Sequence, residues 1–111
     1  MVLKSLEEAE LVFLSVIVLG ELLYGYKNGT KERENLIFLD TLIAKPRVKM
    51  LPITAETAKV YADLRLELKR LGQPIPTNDL WIASQAIESG TVLLSNDEHF
   101  RHILGLRRNR F

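Results

Sequence analysis

The chain has 111 residues, 47% apolar and 26% charged, with a net charge of +1. This is enough for one domain with a core and too little for two, so residues 1–111 are read as a single domain. The charge balance announces no polyanion partner through a global field, and the absence of cysteine excludes disulfides, thiolate metal sites and thiol nucleophiles.

Met1–Glu10 reads as the second half of a helix, with Leu3 and Leu6 on one face and acids on the other. Leu11–Leu14 is a short continuous apolar run, as expected of a strand buried on both faces. The wider run Leu11–Leu19 is too short to span a bilayer, and Glu7, Glu8 and Glu10 precede it where a signal peptide carries basic residues. The expectation is a cytoplasmic protein with no membrane contact. Ser15 caps a helix running to about Lys27, closed by Asn28-Gly29. Thr30 starts the next helix, on which Leu36, Leu39 and Ile43 recur at helical spacing before Pro46 ends it.

Val48–Ile53 is the next predicted strand, and Thr54 caps a helix to Leu71 with Ala58, Tyr61, Leu64, Leu68 and Leu71 on one stripe. Gly72 stops it. Gln73-Pro74-Ile75-Pro76 is a stiff, extended connection to a helix capped by Thr77 or Asn78, with Asp79 in its first turn and a stop at Gly90. Thr91–Leu94 is a buried strand running into Ser95-Asn96-Asp97-Glu98, and the basic tail Arg107–Phe111 is either a short edge strand or a frayed end. Strands alternating with helices argue for an α/β domain with a parallel sheet.

In such a sheet ligands sit beyond the carboxyl ends of the strands, where Asp97 lands and where the helix feeding that strand brings Asp79. Two carboxylates at one rim suit a hard divalent cation. The plain alternative is that Asp79 serves the helix dipole, Asp97 a turn and Glu21 a solvated surface. Glu21, however, stands in Val16–Leu23, and a lone acid in so apolar a run is unfavourable unless a cation or hydrogen-bond donors meet it. His99 and His102 lack a third ligand and read as surface residues on a short helix. No glycine pattern forms a phosphate loop. Trp81 reads as core rather than a base-stacking platform. Arg101, Arg107, Arg108 and Arg110 are the best candidates for phosphate contacts, with a solvated tail as the default.

Three segments, Ser15–Gly25, Pro76–Ala83 (PTNDLWIA) and Leu93–Phe100 (LLSNDEHF), together resemble the downstream motifs of PIN domains. Their order and spacing are similar to those of VapC-type toxins from prokaryotic toxin–antitoxin pairs. The resemblance implies a three-layer α/β/α sandwich with a parallel sheet and an Mg²⁺- or Mn²⁺-dependent endoribonuclease acting on RNA. It also implies a homodimer held inactive by a cognate antitoxin. Carried over by position, Glu21, Asp79 and Asp97 match the family's catalytic metal-site acids. Ser95 matches the small hydroxyl residue beside the last acid, with Asn78 and Glu98 as helpers.

The PIN pattern begins with a strand ending in Asp, and nothing of the kind precedes Leu11. The resemblance therefore implies that the first central strand and one ligand of four are missing. Two alternatives stand: a shortened active nuclease that compensates by association, including strand exchange, or a catalytically impaired remnant that binds an antitoxin or a sister subunit. For the remnant, the apolar surfaces of Leu36–Ile43 and Tyr61–Leu71 are the candidate groove.

Overall fold

The computed structural model describes residues 12–90, 92–94 and 107–109. Their contacts divide into two compact units, residues 2–51 and residues 52–111. The helix expected over Met1–Glu10 lies outside the described residues, as do Leu11 and Thr91.

In the first unit, strand β1 (Val12–Ser15) runs without a linker into helix α1 (Val16–Asn28). Ser15 is both the last strand residue and the helix cap: its backbone is extended and its hydroxyl accepts the Ile17 N–H at 3.1 Å. That offsets one of the donors every helix start leaves open. α1 stops at Asn28, where the Gly29 N–H turns back to the Tyr26 carbonyl at 3.2 Å. Helix α2 (Glu32–Ile43) follows, and here the structure departs from the expected cap. Thr30 lies outside the helix, and Lys31 precedes it with no side-chain hydrogen bond. Glu32 and Glu34 in the first turn complement the helix dipole instead. Strand β2 (Val48–Leu51) pairs in parallel with β1, Val12 opposite Val48 through Ser15 opposite Leu51. The expected strand was two residues longer; Pro52, which has no N–H to give a ladder, ends it. Among the described residues of this unit, Ser15, Leu39 and Val48 are buried.

In the second unit, Thr54 opens helix α3 (Ala55–Arg70) with a reciprocal cap. The Thr54 N–H donates to Thr57 Oγ1 at 3.1 Å and the Thr57 N–H to Thr54 Oγ1 at 3.4 Å. The buried stripe is Thr57, Leu64 and Leu68, with Tyr61 half-buried, whereas Ala58 and Leu71 of the expected stripe are exposed. Gly72 adopts φ +68°, and the Gly72 and Gln73 N–H groups reach the Lys69 and Leu68 carbonyls at 3.1 and 2.9 Å. A side chain at Gly72 would strain that left-handed turn.

Helix α4 (Thr77–Ser89) packs against α3 and stops at Gly90, φ +68°. Leu80, Ile82, Ala83, Ser84, Gln85 and Ala86 are buried on it. The buried polar members are satisfied: Ser84 Oγ donates to the Leu80 carbonyl at 2.6 Å, and Gln85 Nε2 to the Pro52 carbonyl at 3.2 Å. Strand β3 (Val92–Leu94) pairs in parallel with strand β4 (Arg107–Asn109), so the basic tail contributes a strand. Both ladders are parallel, as the alternation of strands and helices predicts. No helix among the described residues is long and apolar enough to cross a membrane.

Candidate metal centre

Each described candidate acid is carried by a helix. Glu21 stands in the second turn of α1, in the unit of residues 2–51, and its side chain is exposed. The sequence expectation is that an acid in so apolar a run is unfavourable unless a cation or hydrogen-bond donors meet it. The flanking residues are not buried either. Any metal role for Glu21 rests on its match to the family's motif rather than on its surroundings.

Asp79 stands in the first turn of α4, in the unit of residues 52–111, and is half-buried. The expected cap is displaced. Pro76, with φ −56°, precedes the helix without a side-chain cap of its own, and Thr77 and Asn78 are already helical. Proline's fixed φ prepares the chain for a helical turn, and the Leu80 N–H closes the first intrahelical bond to the Pro76 carbonyl at 3.0 Å. Asp79 therefore carries its charge at the positive end of the helix, where an anion is favoured. Asn78 beside it is exposed.

β3 ends at Leu94, and Ser95, Asp97, Glu98 and Arg101 lie outside the described residues, together with His99 and His102. Arg107 and Arg108 are strand residues of β4, in register with Val92 and Leu93. Among the described residues, no group of three or more His, Cys, Asp or Glu side chains is placed to hold a metal ion. The donor set itself, three carboxylates and no sulfur or imidazole, is chemically suited to a hard divalent cation.

Sequence reasoning missed a polar tie between the two helices of the second unit. The fully buried Thr57 hydroxyl donates to Glu88 Oε1 at 2.7 Å, and the Thr54 hydroxyl reaches Glu88 Oε2 at 3.4 Å. Thr57 at the third helical position was a readable signal for a cap, but nothing local announces Glu88, thirty-one residues away.

Comparison with known proteins places these elements in a family. A family model described as the PIN domain matches residues 2–105. Ribonuclease VapC2 of Rickettsia felis is 35% identical over 105 residues, covering 94% of this chain and 77% of that protein. The crystal structure of VapBC2 from Rickettsia felis, bound to a DNA fragment from its promoter, superposes with a TM-score of 0.84 at 33% identity. The match covers 97% of this chain and 80% of that one. The structure of VapBC-5 from Mycobacterium tuberculosis, a member of the VapBC family of toxin–antitoxin systems, gives a TM-score of 0.71 at 26% identity, covering 87% and 79%. These similarities extend along nearly the whole sequence and carry the α/β fold class with them, and the chain belongs to the PIN-domain family.

Proposed function

We propose that the chain is a divalent-metal-dependent endoribonuclease, the toxin of a toxin–antitoxin pair, with Glu21, Asp79 and Asp97 as its metal-site acids. One observation carries this reading: the family match spans residues 2–105, which include all three acids, and a relative at 35% identity over 94% of the chain is a ribonuclease. A bound divalent ion, Mg²⁺ or Mn²⁺, would supply a water of lowered pKa and neutralise charge on the scissile phosphate. The chain's own part is to supply hard oxygen donors. Asp79 is presented by a firmly packed helix, and Glu21 by α1, where it is exposed. Ser95, Asn78 and Glu98 are assigned supporting roles, and Arg101, Arg107 and Arg108 phosphate contacts.

The partner is an antitoxin, in line with the VapBC assemblies among the similar structures. A homodimer, including one formed by strand exchange, belongs to the same reading. Cleavage of RNA with Mg²⁺ or Mn²⁺, with and without chelator, tests it. Internal cuts that vanish with chelator are expected; cutting that persists in chelator would overturn the metal assignment.

A second reading, a catalytically impaired remnant that binds an antitoxin or a sister subunit, is favoured by one specific observation. Ile37 and Phe38 on α2 are 60% and 51% exposed, and apolar side chains of that size in solvent mark interaction surfaces when they cluster. Absence of cleavage under either metal, with antitoxin binding retained, would select it.

A further inference from the structure

α3 and α4 run antiparallel, because Thr57 meets Glu88 at one end while Tyr61 meets Trp81 nearer the other. The Tyr61 and Trp81 rings stack with centroids 3.9 Å apart and planes 15° from parallel. Arg65, one turn beyond Tyr61, donates from Nη1 to Tyr61 Oη at 2.8 Å, and its guanidinium carbon lies 5.9 Å from the Tyr61 ring centroid. Four residues advance a helix by about 6 Å, which brings Arg65 level with the first turn of α4. Arg65 is exposed, and Tyr61 and Trp81 are partly so. The cluster is thus a flat aromatic pair edged by a cation whose orientation a tyrosine hydroxyl holds.

We propose that Tyr61, Trp81 and Arg65 form a nucleotide-binding ledge for single-stranded RNA, a base stacking on the aromatic pair and the adjoining phosphate meeting the Arg65 guanidinium. The proposal rests on the nuclease reading above and adds to it a substrate subsite outside the acids. Base stacking on aromatic side chains is tolerant of sequence, and arginine recognises phosphate through paired N–H donors. Of the five N–H donors of a guanidinium, Tyr61 takes one. A protein surface is the weaker fit, because the most exposed member of the cluster is a cation rather than an apolar anchor.

Trp81 follows Asp79 by two positions, about 200° around the helix, so the ledge and the carboxylate point to opposite sides of α4. A strand held on the ledge must round the start of the helix to reach Asp79. The ledge therefore holds a nucleotide flanking the scissile bond, and it acts on binding rather than on the chemical step.

Trp81 is the only tryptophan in the chain, so its fluorescence reports the ledge directly. The whole chain is titrated with oligouridylate in chelator, where no cleavage intervenes. Saturable quenching of Trp81 is expected, with Arg65→Gln weakening binding about tenfold and lowering the slope of log affinity against log salt by about 0.7. Arg65→Lys should recover the slope but only part of the affinity. Tyr61→Phe keeps the stack and removes only the hydroxyl that orients Arg65, so it should weaken binding a few-fold. In metal, Arg65→Gln should raise KM and leave kcat unchanged.

RNA cleavage without Trp81 quenching, or with KM unchanged in Arg65→Gln, would overturn the ledge and leave the nuclease reading standing. Neither cleavage nor binding would remove both. A change of oligomeric mass in Arg65→Gln, with RNA affinity intact, would reassign the cluster to a protein interface and overturn the proposal.

Discussion

The two helices that carry described candidate acids are built in opposite ways. α1 reads VIVLGELLYGYKN, the more apolar sequence, yet none of its residues is buried. α4 reads TNDLWIASQAIES, and six of its residues are buried, two of them polar. The difference lies in the neighbours. α4 offers Ala83, Ser84 and Ala86, small side chains that are buried, and its buried hydroxyl and amide find carbonyls. α1 carries two glycines with open space around them, and Tyr24 is 71% exposed. Hydropathy alone therefore does not predict which helix is core, and an apolar helix left in solvent is a surface suited to partners.

The sharpest way to break this comparison is a matched pair of truncations. Leu80→Ala removes a side chain that is 4% exposed in α4 and should cost about 2–5 kcal/mol in denaturant unfolding. Leu22→Ala in α1 removes a side chain in partial contact with solvent and should cost about 1 kcal/mol or less. Equal losses would mean that α1 is as firmly packed as α4. The acids give the next test. Loss of even an outer-shell partner weakens metal binding about 10–100-fold, so Asp79→Asn and Glu21→Gln should each lower Mn²⁺ affinity and RNA cleavage by about 100-fold or more. In the folding equilibrium they should differ. Asp79→Asn gives up a charge at a helix start, about 0.3–1 kcal/mol, while Glu21→Gln on the exposed helix stays within about 0.5 kcal/mol. Unchanged Mn²⁺ affinity in both variants would remove them from the metal site.

Within the second unit, Thr57→Val keeps the shape of a fully buried residue and deletes the hydroxyl that donates to Glu88 at 2.7 Å. It also removes one arm of the reciprocal cap with Thr54. A loss of about 1–3 kcal/mol is expected, because a hydrogen bond to a charged group and one arm of the cap are lost together. A neutral result, read as an unchanged denaturant midpoint, would mean that water replaces the hydroxyl.

How far the sequence foretold all this depends on the range of the interaction. Ser15, Thr54, Gly72 and Gly90 were legible because caps and left-handed stops are settled within a few residues. The missed boundaries have local causes as well: Pro76 takes the place expected of Thr77 or Asn78, and Pro52 ends β2 two residues early. The Thr57–Glu88 tie and the Tyr61–Trp81 stack were not legible, since each joins residues at least twenty positions apart through helix packing. The exposure of Glu21 was not legible either, because neighbours in sequence are not always neighbours in space. Of the candidate site, Glu21, Asn78 and Asp79 are described, while Ser95, Asp97, Glu98 and Arg101 lie outside the described residues. The order of the three motifs, rather than any burial pattern, identified the family.

The smallest expected effect bears most directly on α1. A Cβ built at Gly20 or at Gly25 meets nothing within 4 Å, and both positions lie inside a helix. Alanine there gains helix propensity and reduces the freedom of the unfolded chain, so each substitution should stabilise the protein by about 0.5–1 kcal/mol. That sign holds only while the surface stays open. If a second copy of the chain or an antitoxin seats its backbone against α1, the glycines are the points of closest approach, and a methyl group there costs binding. Thermal unfolding of Gly20→Ala and Gly25→Ala should therefore be measured over a range of chain concentrations. Stabilisation at every concentration means that α1 stays open to solvent; stabilisation that reverses as concentration rises means that a second copy covers it.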